Sequence, residues 1–303
     1  MANPEHDASR LPTPEETEIV TTESAEIPLV PVGSQAAIEL SHEPVTSTPG
    51  LPVTLPRRNI FPPWSGWDVA AVLCFTLAAV FLFSTLALGI AYALSRKQHV
   101  SWSDLASNTT VLIGSQVAAY PAVVLFMVLL IRSKTRENFW KAVRWNWPGA
   151  ASWGFTLSGA TVAIVVEFAS RWLPIPKSLP VDKYFNDVAG AYLMAGFGIT
   201  LAPLLEELFF RGLLYPVLRR ASGVVAAVLL TAAAFAFIHG AQLGYAWAPL
   251  LSIFVVGVIF TIVRERTGSV AASFLMHCGY NFTLFAMLWI GSDHFRHLDK
   301  VAS

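Results

Sequence analysis

Residues 188–213 read VAGAYLMAGFGITLAPLLEELFFRGL. The stretch is uncharged through Leu205, and then sets Glu206, Glu207 and Arg211 into an otherwise apolar run. At about 1.5 Å of rise per residue, such a run crosses the roughly 30 Å hydrocarbon core of a bilayer. Runs of the same kind occur on either side, at 68–95, 109–131, 149–172, 222–239, 247–264 and 268–291. The 43 residues between Arg220 and Arg264 carry no formal charge, which suffices for two passes broken near Gly240 to Pro249. The reading is an all-α, polytopic transmembrane bundle of seven to eight spans.

Composition agrees. The chain has 303 residues, 54% hydrophobic and only 13% charged, whereas soluble domains carry about 25% charged residues. A soluble globule this apolar would have little polar surface to offer water. Collagen-like and disulfide-scaffold classes are excluded by the glycine, proline and cysteine counts. Cys74 and Cys278 both fall within apolar runs, so neither a disulfide framework nor a cysteine metal site is indicated.

The net charge of zero is a cancellation. Residues 1 to 56 hold nine acids and one base, a charge of −8, and the remainder carries +8. That first stretch has nine of the 19 prolines and no aromatic residue. Such a composition cannot bury enough apolar surface to offset its ordering entropy, which predicts disorder over 1–57. The acidic start does not fit a signal peptide, so the first span is expected to serve as an uncleaved anchor. Residues 58–187 then form the upstream membrane helices and 188–292 the segment with the unusual polar residues.

Trp64 and Trp67, ahead of the first span, suit a membrane interface. Eleven Lys and Arg residues fall on one side of the bundle and seven on the other. The positive-inside rule therefore puts the N-terminal tail in the cytoplasm. The expected setting is a bacterial plasma membrane.

Ionisable groups inside a span cost about 2.5–3.5 kcal/mol each on insertion scales and so need a reason to be there. Glu207 and Arg211, four apart, share a helix face and can pair. Glu206 points about 100° away and stays free. His239 ends the fifth span, and His277 and Asn281 form an i, i+4 polar stripe on the seventh. Counted from the flanking arginines, Glu206, His277 and Asn281 fall about 16–22 Å deep and His239 about 28 Å, a gap that tilt can narrow. A carboxylate held out of water can serve as general base on a water molecule. Histidines and an amide can orient that water and donate to the oxyanion of a tetrahedral intermediate. The same set could hold Zn²⁺, but it comes from three helices and lacks His-Glu-x-x-His spacing. No cofactor is required by the pattern.

Three motifs follow in order on successive apolar helices: Glu-Glu-x-x-x-Arg at 206–211, Phe-x-x-x-His at 235–239 and His-x-x-x-Asn at 277–281. Together they resemble the CPBP family, the CAAX proteases and bacteriocin-processing enzymes that include the type II CAAX prenyl endopeptidases. The resemblance covers roughly 188–291. It implies an intramembrane endopeptidase acting on membrane-associated or secreted peptides, with the bilayer and a peptide or protein as partners and no nucleic acid. It further implies that Glu206 activates water, that Glu207 and Arg211 shape the site, that His239 and His277 position water and the scissile carbonyl, and that Asn281 helps stabilise the oxyanion. Both a metalloprotease and a metal-free glutamate-and-water mechanism are argued for this family.

Plainer readings stand beside these. A non-catalytic scaffold or self-immunity protein could keep the same fold. A proton path would need a continuous polar route, which the uncharged cores of the first two spans do not supply. Glu167 is expected to pair with Arg171 near an interface. Gly196, Gly198 and Gly212 are expected to permit close helix contact. His6, His42, His99, His294 and His297 fall in the tail or polar flanks.

Overall fold

The computed structural model describes residues 61–95, 100–185 and 187–297. The expected tail over 1–57, with His6 and His42, lies outside them, as does His99. The described residues form helices and no strand: α1 (Gly66–Ser95), α2 (Trp102–Ala106), α3 (Thr109–Lys134), α4 (Phe139–Ala142), α5 (Ser152–Ser170), α6 (Val188–Ile199), α7 (Leu201–Glu207), α8 (Tyr215–Ile238), α9 (Trp247–Thr267) and α10 (Val270–Gly291). A π-helical segment, Leu208–Leu214, joins α7 to α8.

Among the described residues, six helical stretches are long and apolar enough to cross a membrane. The fourth, Val188–Ile238, has 51 residues, or about 76 Å if straight, more than twice the hydrocarbon thickness. It turns at Gly223, whose φ of 79° and ψ of 177° suit a residue without a Cβ. The expected passes 188–213 and 222–239 lie on the two sides of that turn, and the protein is an integral membrane helix bundle.

Local signals set the helix ends. The Asn108 side chain accepts from Val111 N–H to start α3, and Asp187 accepts from Gly190 N–H at 2.7 Å to start α6. Gly268, left-handed at φ 65°, stops α9, and Ser269 immediately caps α10 by accepting from Ala272 N–H. Two residues thus reverse the chain between the last two passes. Asp68 in the first turn of α1 pairs with Lys134 at the end of α3 at 2.9 Å, which places these termini on one side.

Apolar side chains of α1 and α5, among them Leu77, Phe81, Leu157 and Ile164, face outward as lipid-contacting residues do. Inside, Val72 of α1 and Val123, Met127 and Ile131 of α3 pack against Leu208 and Leu213 of the π segment. Trp67 is exposed, as an interfacial residue should be. Trp64 is not: it is fully buried and donates from Nε1 to the Leu213 carbonyl at 3.0 Å. The indole N–H found a carbonyl in the irregular helix and carried its ring into the core.

The closest helix crossing, α5 against α10, runs through glycines absent from the expected set. A Cβ on Gly159 would strike the Met276 carbonyl, and one on Gly279 would strike that of Thr156. Of the expected glycines, Gly198 does lie against the Phe285 ring and Gly212 in ordinary contact with Val143, but Gly196 faces open space. Glu167 and Arg171 do not form an ion pair. The Arg171 guanidinium lies instead over the Phe168 ring, 5.8 Å from its centroid.

Candidate active site

Two backbone irregularities shape the polar centre. Pro203 has no N–H to give the Ile199 carbonyl, and Thr200, with φ −122° and ψ −70°, separates α6 from α7. After Glu207 the chain then enters π register, a form that concentrates at functional sites. Tyr215 N–H still bonds to the Phe210 carbonyl in that register. The next donor would be Pro216, which has none. The stranded Arg211 carbonyl instead accepts from Arg264 Nε of α9 at 3.3 Å.

Glu207 and Arg211 are completely buried and paired at 2.9 Å. The same carboxylate oxygen accepts from His277 Nδ1 of α10 at 3.0 Å. Arg211 Nη2 donates to the Gly257 carbonyl of α9 at 3.1 Å, and its guanidinium lies 4.5 Å from the Phe235 ring centroid. Four helices, α7 to α10, and the π segment thus converge on one ion pair. The Phe260 ring closes it, 5.6 Å from the guanidinium and 4.8 Å from the His277 ring.

Glu206 is placed differently. Its side chain retains 22% exposure against none for Glu207, so it is the less enclosed carboxylate of this pair. His277 Nε2 stands 3.7 Å from Glu206 Oε2, beyond a direct hydrogen bond and at a separation that a shared water can bridge. His277 therefore lies between a fully buried, paired carboxylate and a less enclosed one.

The histidine tautomers follow from their partners. His277 Nδ1 faces the Arg211-paired carboxylate of Glu207, so that nitrogen carries the proton and Nε2 the lone pair. His239 Nδ1 lies 2.8 Å from the Phe235 carbonyl and must donate to it, which again leaves Nε2 as acceptor. As neutral rings, both present acceptors to the site rather than the oxyanion donors that the spacing suggested.

His239 makes no polar contact with Glu206, Glu207, Arg211 or His277. It reaches them through the Phe235 ring, 4.9 Å from its own centroid and 5.8 Å from that of His277. Asn281 donates from Nδ2 to the Gly198 carbonyl at 2.6 Å, beside the break that ends α6. Four of the six expected residues thus form one connected group, with His239 and Asn281 at its edge. Phe235, Phe260 and Gly257 complete the setting, and of these only Phe235 carried a sequence signal, through the Phe-x-x-x-His spacing.

Among the described residues, no three His, Cys, Asp or Glu side chains come together as metal ligands. Glu206 and His277 Nε2 could offer two, but Glu207 is held by Arg211 and His239 stands apart, so the set does not fit a zinc centre.

Residues 188–283 match the family model described as type II CAAX prenyl endopeptidase Rce1-like. Neither the search of curated proteins nor that of solved structures found a match to the chain. The matched segment carries Glu206, Glu207, Arg211, His239, His277 and Asn281, and over that segment the chain is similar to the Rce1-like type II CAAX prenyl endopeptidases.

Proposed function

We propose that this chain is an intramembrane endopeptidase in which Glu206 activates the attacking water. The observation that carries the reading is the series Glu207, His277, Glu206, with separations of 3.0 and 3.7 Å. Glu207 fixes the His277 tautomer, so Nε2 and the Glu206 carboxylate are two acceptors side by side. A water that donates to both turns its lone pairs toward a scissile carbonyl. As the oxygen–carbon bond forms, the water proton passes to Glu206 and the carbonyl oxygen becomes an oxyanion. Asn281 has a second amide hydrogen beyond the one given to Gly198, and this hydrogen serves the oxyanion. His239 can donate there only as an imidazolium. Collapse breaks the C–N bond, and Glu206 returns its proton to the leaving amine.

No metal takes part in this scheme. A chelator that strips zinc is expected to leave turnover unchanged, and activity lost to chelation and restored by zinc alone would overturn that part.

The substrates we propose are membrane-associated or secreted peptides. The setting is a bacterial plasma membrane with the N-terminus cytoplasmic, which fusions of a compartment-sensitive reporter to successive loops would test. Peptide termini generated in native membranes, compared by mass spectrometry between wild type and Glu206→Gln, test the activity. Cleavage products present with wild type and missing with the variant are expected. Purified Glu206→Gln with wild-type turnover would end the proposal.

One observation favours a non-catalytic scaffold: Asn281 and His239 both satisfy backbone carbonyls, as structural residues do. That reading requires a phenotype indifferent to Glu206→Gln and His277→Ala alike.

A further inference from the structure

Where α8 begins and α9 ends, a cleft of about 320 Å³ collects Arg144, Arg219, Arg220 and Arg264 around one carboxylate among the described residues, Glu265. That carboxylate is already in use. One oxygen accepts from Nε and Nη2 of Arg219 at 3.1 and 2.9 Å, and the other accepts from the Tyr215 hydroxyl at 2.8 Å. Arg220 donates to the carbonyls of Pro62 and Trp64 at 2.9 and 3.5 Å, which orients its guanidinium without neutralising it. Arg144 is exposed and lies over the Phe61 ring, 4.3 Å from the centroid.

Arg264 decides the matter. It is 97% buried, since only 3% of its surface is exposed. Its Nε is spent on the Arg211 carbonyl, the residue lines the cleft, and neither Nη1 nor Nη2 makes a hydrogen bond among the described residues. A guanidinium this enclosed, with donors still available in a cleft, is suited to meet an anion. Three guanidinium charges without a carboxylate among the described residues exceed what one carboxylate ligand would balance, and their forked donors match phosphate oxygens.

The cleft also lies at a bilayer surface. Arg264 stands in the last turn of one membrane pass, and Arg219 and Arg220 stand just before the Gly223 turn between two others. Basic pockets between helix ends at this level take anionic lipid headgroups. We propose that this cleft binds a phosphate group at the membrane surface, that of an anionic phospholipid headgroup. Through Arg264 the bound phosphate would be one hydrogen bond away from Arg211, and so from the Glu207 ion pair. The assignment does not depend on the peptidase reading.

The test uses the full chain purified in a neutral detergent, with phosphatidylglycerol, phosphatidylcholine or inorganic phosphate added. Thermal unfolding and lipid adducts in native mass spectra are the readouts. Phosphatidylglycerol is expected to raise the unfolding midpoint and to remain bound, and phosphatidylcholine to do neither. Arg264→Gln also removes the bond to Arg211 and can unfold the chain, so the surface double variant Arg144→Gln, Arg220→Gln carries the test. It is expected to weaken phosphatidylglycerol binding about 25-fold, at about fivefold per arginine. Equal responses to the two lipids, or undiminished phosphatidylglycerol binding by the double variant, would overturn the proposal. A response to inorganic phosphate with none to phosphatidylglycerol would overturn the lipid assignment and leave a soluble phosphate as the ligand.

Discussion

His277 holds its Nδ1 3.0 Å from Oε1 of Glu207, a residue 70 positions earlier in the chain. The same oxygen takes Nη1 of Arg211 at 2.9 Å, one turn along its own helix. One buried carboxylate therefore neutralises a guanidinium and also orients an imidazole toward a second carboxylate. The adjacent glutamates differ in burial: Glu207 is fully enclosed with its ion pair, and Glu206 keeps part of its surface free, which suits the role proposed for it.

That division predicts opposite phenotypes for neighbouring substitutions. Glu207→Leu leaves Arg211 buried without its counter-charge, a loss of about 3–5 kcal/mol. A clear fall in the unfolding midpoint and in folded yield is expected. Glu206→Gln removes no ion pair, so its midpoint should stay near wild type while cleavage disappears. Thermal unfolding in detergent beside a cleavage assay separates the two, and equal stabilities of both variants would contradict the division.

The Arg211 carbonyl supplies a second prediction. It accepts from Arg264 because Pro216 cannot donate in the π register. Arg264→Gln should destabilise the chain by about 1–3 kcal/mol through the unsatisfied buried carbonyl. Pro216→Ala restores an N–H at the required place, and in that background the same substitution should cost about 1 kcal/mol less. A double-mutant cycle with strictly additive costs would show that the π register does not create this bond.

How far the sequence could be read depended on the range of each interaction. The Glu207–Arg211 pair was legible because it is local, four residues apart on one helix. So were the passes on both sides of Gly223, because apolar length is a property of the string. The orientation of His277 by Glu207 was not, since it depends on which faces of separate helices meet. The depth count brought His239 within reach of the group, yet the Phe235 ring separates them and its Nδ1 turns to its own helix. The small-residue rule identified a tolerance for close approach, but not which glycine meets a partner, so Gly196 was expected in a contact that Gly159 and Gly279 make.

Those glycines can be tested directly. Gly159→Ala and Gly279→Ala each push a methyl group into a facing backbone carbonyl, which cannot retreat without moving a helix. Each should destabilise the α5–α10 contact by about 1–3 kcal/mol. Gly196→Ala, with open space around it, should be neutral or slightly stabilising, since alanine favours the helix over glycine. Unfolding midpoints of the three variants check the order, and a Gly196 variant as unstable as the other two would refute the assignment of the crossing.

Asn281 offers the sharpest separation of structure from chemistry. Its amide donates to the Gly198 carbonyl at the end of α6, a bond worth about 0.5–1.5 kcal/mol whether or not the chain is an enzyme. A second role at the oxyanion adds a loss that stability does not register. Asn281→Ala should then lower kcat by about 10²–10³ with little change in KM, because an oxyanion donor acts in the transition state rather than on bound substrate. Asn281→Asp has the same shape but no amide hydrogens, so it should lose as much turnover as the alanine variant. If Asn281 only caps α6, both variants should share a lowered unfolding midpoint and keep kcat within a few-fold of wild type. The kcat to KM split, measured beside the midpoint on the same preparations, decides between a capping residue and a catalytic one.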